Sequence, residues 1–160
     1  MRYKPKDSGF TLIELMIITA ILGILLAVFT PDFLRWIPNF RLKKAASELY
    51  DNLHLAKLKA IRYNKNYKIT YYTNPDRYTI STGAQTIKTV ILNDYGSGIK
   101  FDAPDNNKNI NNKSITFNSR GTSNMNHAYL SSAGNAAYYK VGPLLSGVIR
   151  YMKWNGNNWE

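Results

Sequence analysis

Glu14 is the one charged side chain between Phe10 and Phe29, in a run whose other residues are apolar or small and uncharged. A helix of that length rises about 30 Å, the hydrocarbon thickness of a bilayer. A carboxylate inside it costs about 2.5–3.5 kcal/mol at the helix centre and less near the end. No other residue of the run can pair with that charge, so its partner has to come from outside the segment. The stretch in front, Met1 to Gly9, is short, net basic and ends in glycine, the residue that lets a protease approach the backbone most closely. The chemistry on offer is hydrolysis of the Gly9–Phe10 peptide bond, which would leave Glu14 four residues from a new amine at Phe10.

Three readings compete for this end of the chain. An ordinary secretory signal needs small residues after its apolar run, and Val28-Phe29-Thr30-Pro31 supplies them poorly. A plain membrane anchor explains the length and the basic flank but gives Glu14 no purpose. Cleavage before the apolar run accounts for Gly9, Phe10 and Glu14 together. In either membrane reading, Arg2, Lys4 and Lys6 hold the leading end in the cytoplasm, so the rest of the chain faces the other side.

The positioning elements follow. Pro31 and Pro38 each remove a helical hydrogen bond and crowd the preceding turn, which predicts a kink or local break after the apolar run. Trp36 suits either the membrane surface or packing within the stem. From Asn39 the chain turns amphipathic, with Phe40, Ala45, Ala46, Leu49, Leu53, Ala56, Ala60 and Ile61 at helical spacing. Lys43, Lys44, Lys57, Lys59 and Arg62 lie mostly off that stripe, as a solvated or inter-subunit face. The helix is expected to end at about Tyr63 or Asn64. Strands are predicted at 67–73, 77–81, 86–92, 114–118, 128–131 and 147–154, with one more over 138–141 and a turn at Asn74-Pro75-Asp76. Residues 93–113 read as an exposed loop because of Gly96, Gly98, Pro104 and the polar run 105–112. The fold class is α+β, a long N-terminal helix packed on a C-terminal antiparallel sheet domain. The divisions are a leader at 1–9, an apolar helix at 10–30, a kinked amphipathic stem at 31–64 and a β-rich domain at 65–160.

The string Gly9-Phe10-Thr11-Leu12-Ile13-Glu14 resembles the leader junction of type IV prepilins and type II secretion pseudopilins. That resemblance implies cutting after Gly9 by a prepilin peptidase, N-methylation of Phe10, and pairing of Glu14 with the terminal amine of a neighbouring subunit. A narrower likeness is to the GspH/FimT-type minor pseudopilins. It rests on Leu53 to Asn64, on Ile115-Thr116-Phe117-Asn118-Ser119-Arg120-Gly121-Thr122, and on Gly147-Val148-Ile149-Arg150. The chain departs from that pattern at Lys57, Leu58 and Lys59, and at Val148, where the first arginine of a G-R-x-R string would stand.

Composition bounds the function. Lys and Arg total 21 against 10 Asp and Glu, for a formal charge of +11, and removing Met1 to Gly9 leaves +9. There is no cysteine, hence no disulfide or thiol chemistry. His54 and His127 stand alone, without a Glu or Asp at metal-ligand spacing, so no catalytic, cofactor or metal role is expected. The reading is a non-catalytic minor pilin or pseudopilin that assembles into or caps a type IV pilus or a type II secretion pseudopilus. Its partners would be a prepilin peptidase, other pilin-type subunits and the inner-membrane assembly platform. It would sit in the bacterial inner membrane with one span, then in a periplasmic pseudopilus or an extracellular pilus. One alternative is a major pilin. Another is a DNA-binding minor pilin of the FimT type, using Arg120, Lys140, Arg150 and Lys153 beside Tyr138, Tyr139, Tyr151, Trp154 and Trp159.

Overall fold

The computed structural model describes residues 9–104, 113–133 and 137–160, without the side chains of 29–35. The leader up to Ser8 and the polar run 105–112 therefore lie outside the described residues. Two compact units are present, with the division after Trp36. The first holds the start of helix α1, assigned without interruption over Leu12–Tyr63. Neither Pro31 nor Pro38 ends that helix. The apolar side chains from Phe10 to Val28 are exposed throughout. Among the described residues, which leave out the side chains of 29–35 that continue this run, no helix is long and apolar enough to cross a membrane.

Among its described residues the second unit, Ile37 to Glu160, contains the rest of α1 and eight strands. They are β1 (Tyr67–Thr73), β2 (Asp76–Thr82), β3 (Gln85–Ile91), β4 (Ile99–Phe101), β5 (Ser114–Phe117), β6 (Ala128–Ser132), β7 (Tyr138–Pro143) and β8 (Ile149–Lys153). A short 3-10 turn covers Leu92–Tyr95. All strand pairs are antiparallel. They form two four-stranded sheets, ordered β3-β2-β1-β5 and β4-β6-β7-β8. The 3-10 turn and β4 fall in the segment read from sequence as loop. Three residues with two glycines just before them are too short to show a period of two.

The amphipathic half of α1 supplies one wall of the core. Leu42, Ala45, Ala46, Leu49, Leu53, Ala56 and Ala60 are buried against Ile69, Tyr71 and Phe117 of the first sheet and Leu130 and Val141 of the second. Each large apolar side chain so buried contributes about 1.5–3 kcal/mol. The expected stripe is shifted slightly: Phe40 and Ile61 are about half exposed, and Leu42 takes an inward place. Spacing alone cannot tell a residue at the margin of an apolar arc from one at its centre.

Helix α1 stops where the sequence says, and the hydrogen bonds show why. Asn64 adopts a left-handed φ of 49°. The Lys65 N–H then donates to the Ala60 carbonyl at 3.2 Å and the Asn64 N–H to Ile61 at 3.4 Å, a Schellman closure with asparagine in the usual glycine place. Across the core, the Asn52 Nδ2 donates to the Tyr78 hydroxyl at 2.7 Å. Lys88 Nζ reaches Asn52 Oδ1 at 3.2 Å and Glu48 Oε1 at 3.1 Å.

Candidate functional site

Two regions carry the residues singled out above. The first is the head of α1. Leu12 begins the helix, which makes Thr11 its N-cap and Glu14 its third residue. The Glu14 N–H donates to Thr11 Oγ1 at 3.2 Å, and the Leu15 N–H to the Thr11 carbonyl at 3.2 Å. This is half of a capping box, Thr-x-x-Glu. Glu14 also places a negative charge in the first turn, where the helix dipole favours it. Thr11 therefore has a mechanical duty, and the four-residue pattern Thr-x-x-Glu is its signal in the sequence. Gly9 and Phe10 precede the helix in extended or irregular backbone, and Phe10 is 77% exposed. The Gly9–Phe10 bond thus lies outside regular structure, just ahead of the helix cap.

The second region is the far sheet, where four basic residues were expected to act together. The structure divides them. Lys140 pairs with Met152 and Gly142 with Arg150, so Lys140 and Arg150 are diagonal neighbours on one face. That face also carries Tyr129, which pairs with Lys140. The chain end folds back over it, through the Trp154–Trp159 bridge and paired hydrogen bonds between Lys153 and Glu160. Trp159 packs on Tyr129 and on Trp154, with ring centroids 5.5 and 5.2 Å apart. The Lys140 ammonium lies 5.9 Å from the Tyr129 ring centre and 5.8 Å from that of Trp159. Lys153, one residue out of phase, points to the opposite face, the side of Tyr139 and Tyr151. It lines an open groove of about 480 Å³ with Asn39, Ala137, Tyr139, Trp154 and Asn155.

Arg120 is elsewhere again, in a turn closed by the Asn118 side chain. That turn reveals what the three family-like strings have in common, because they converge there. Lys57 Nζ, from the helix string, donates to the Gly147 carbonyl at 3.0 Å. Lys57 is thus a tie between elements rather than the solvated charge expected of it. Gly121 and Gly147 have φ of 79° and 77°. A side chain on Gly147 would lie 1.8 Å from the Gly121 carbonyl oxygen, and one on Gly121 would lie 2.9 Å from Ile61 Cδ1. The glycines let the two turns meet backbone to backbone, with the Ile61 and Lys57 side chains of the helix end packed against Gly121.

Among the described residues no three His, Cys, Asp or Glu side chains converge on a point that could hold a metal. Burial raises the Tyr151 hydroxyl above its ordinary range, and the His54 ring packs on Tyr50 at 4.5 Å. These groups serve the helix–sheet contact.

Comparison with known proteins agrees with the geometry. Residues 4–30 match the prokaryotic N-terminal methylation motif. Over 78 residues the chain is 37% identical to the type IV major pilin protein PilA of Myxococcus xanthus (strain DK1622), covering 49% of this chain and 30% of PilA. It is 44% identical over 45 residues to the type IV major fimbrial protein FimA of Dichelobacter nodosus, covering 28% of this chain and 29% of FimA. The matches thus span less than a third of the length of these curated relatives. In structure, the chain is similar to the type IV minor pilin FimU of Pseudomonas aeruginosa (strain PAO1). The TM-score is 0.58 at 15% identity, over 76% of this chain and 94% of that one. A second crystal form of FimU gives a TM-score of 0.53 at 16% identity. At such identities the likeness is one of fold. The chain thus carries the N-terminal methylation motif, is similar to type IV pilins over part of its length and shares the fold of a minor pilin, a long helix followed by antiparallel sheets.

Proposed function

We propose that the chain is a non-catalytic minor pilin or pseudopilin, cut between Gly9 and Phe10, methylated on Phe10 and assembled into, or capping, a type IV pilus or secretion pseudopilus. The observation that carries this reading is an apolar helix exposed from Phe10 to Val28, capped through Thr11 and Glu14. Such a surface cannot stand in water. Lipid covers it before assembly and neighbouring helices cover it afterwards, so the subunit is drawn from an inner-membrane span into a helical bundle without chemistry of its own. Glu14 then meets the terminal amine of a neighbouring subunit in a desolvated pair. A minor rather than a major role is favoured by the resemblance to FimU, which extends over nearly all of that minor pilin's chain. The major pilins match only through less than a third of theirs. Two measurements test the reading. Mass spectrometry of the mature protein is expected to find methylated Phe10 at the N-terminus, and any other terminus defeats the assignment. Quantitation in purified filaments is expected to find this subunit far below the most abundant one.

A second reading, DNA binding during uptake, is favoured by one observation: Lys140 and Arg150 share a sheet face with Tyr129, Trp154 and Trp159. Cations beside a cluster of aromatic rings suit a nucleic-acid strand. Gel shifts with residues 37–160 test it. Arg150→Ala is expected to weaken the shift and salt to weaken it steeply, whereas no shift at low salt removes this reading.

A further inference from the structure

Strand β3 lies at the edge of the first sheet, and its pairing with β2 is irregular at one place. The register steps from Ile80–Lys88 to Ser81–Thr86, so Ile87 is an extra residue, the bulge of the pair. Successive strand residues ordinarily point to opposite faces, and a bulge is a device that re-aims one of them. Here Ile87 and Lys88 line the same groove, which runs between β3 and α1 with a volume of about 180 Å³. Buried Ala56 and Ile80 form its floor, and Leu55, Lys59, Ile87 and Lys88 its sides. Leu55 and Ile87 are 44% and 42% exposed, so the apolar walls stand open to solvent. The two lysines differ. Lys88 is held by Glu48 and Asn52, while among the described residues Lys59 makes no ion pair.

From this arrangement we infer that the groove binds a free, monomeric amphiphile, a short unbranched alkyl chain carrying an anionic head such as a carboxylate. The volume selects the chain. Drug-sized ligands occupy sites of about 300–1,000 Å³, and this groove is smaller, with a floor of two apolar side chains. An alkyl tail laid on Ala56 and Ile80 dries Leu55 and Ile87 without stranding any hydrogen-bonding group. The charge selects the head. A cationic head would be repelled by two lysines, and a neutral one would leave the Lys59 ammonium as it was. An anion at the rim meets a cation that, among the described residues, no carboxylate of the chain already holds. The bulge matters because it sets an apolar wall and a cation side by side on one strand. This site belongs to the second unit alone and stands apart from the assembly reading.

Every residue of the buried core lies between Leu42 and Ile149, so residues 37–160 carry the fold and can be titrated without detergent, itself an amphiphile. Methyl NMR of that unit is recorded against sodium hexanoate, octanoate and decanoate at neutral pH, below their micelle concentrations. Shifts are expected at the methyl groups of Leu55, Ala56, Ile80 and Ile87. Affinity should climb by up to about four-fold for each buried methylene and level off once the groove is full. Lys59→Gln should weaken octanoate by about two- to five-fold, the range of a partly exposed pair, and leave 1-octanol unchanged. Ile87→Glu should abolish binding of both, with an unchanged melting temperature because Ile87 is exposed. Shifts spread equally over exposed Met125, Leu145 and Val148, or an affinity that rises with chain length without levelling, would mean general adsorption and overturn the inference. So would octanoate binding that Lys59→Gln does not alter. Association with phosphatidylglycerol vesicles in the absence of octanoate binding overturns it as well, since the lysines would then read a bilayer surface.

Discussion

Replacing Gly147 with alanine should be among the most damaging single changes in the soluble unit. At φ 77° a non-glycine residue costs about 1–2 kcal/mol in backbone strain. The new Cβ would stand 1.8 Å from the Gly121 carbonyl oxygen, where real contacts keep at least 3.0 Å. The atom it strikes is backbone, so no side chain can swing away and the two turns must part by more than an ångström. Parting them also pulls the Gly147 carbonyl from Lys57 Nζ, a loss of about 1 kcal/mol. These two terms sum to about 2–3 kcal/mol, and overlap makes the cost larger, against a total of about 5–15 kcal/mol for a domain. Thermal and urea unfolding of residues 37–160 measures it, with a fall in Tm on the order of 10 °C expected. Lys57→Met, which removes only the tie, should cost about 1 kcal/mol, and Val148→Ala, at an exposed neighbour, should cost little. A Gly147→Ala domain within about 1 kcal/mol of the parent would refute the idea that the two glycines exist for close approach.

Three further outcomes are expected. Tyr78→Phe strands the buried Asn52 Nδ2 and should destabilise by about 1–3 kcal/mol, while Tyr71→Phe removes a buried hydroxyl that has no partner among the described residues and should be neutral or stabilising. Denaturant midpoints of the two variants decide the point, and equal losses would contradict it. The Glu48 carboxyl is held below its ordinary 4.5 by the Tyr95 hydroxyl first and by Lys88 in addition, against the effect of burial. Its contribution is therefore complete above pH 4.5 and fades as pH falls through the lowered value. Glu48→Gln should flatten that acid limb by less than about 1 kcal/mol, as the pair is partly exposed, and an unchanged slope in urea titrations would remove Glu48 from the account. At the other end, Glu14→Val should leave cleavage and the soluble fold intact yet impair incorporation, because a desolvated amine left alone costs about 3–5 kcal/mol. Co-purification with filaments reads this out, and loss of cleavage instead would move the role of Glu14 to the peptidase.

Much of the molecule was readable as sequence because its signals are local. The apolar run with one carboxylate, the capping residues Thr11 and Glu14, the helix end at Tyr63-Asn64 and the alternating strands β1 and β2 each depend on residues within a turn or two of one another. Such patterns survive without knowledge of the fold. What tertiary structure alone decided are relations across the chain. It separated the strands into two sheets, because pairing partners are chosen among distant segments by burial and register. It divided Lys140 and Arg150 from Lys153, because one residue of register sends a side chain through to the other face of a sheet. It turned Lys57 from a surface charge into a tie and gave Gly121 and Gly147 their purpose, since only the meeting of three remote segments leaves no room for a Cβ. Local spacing specifies elements, and the contacts between elements, which set the chemistry of each surface, arise only when the core closes.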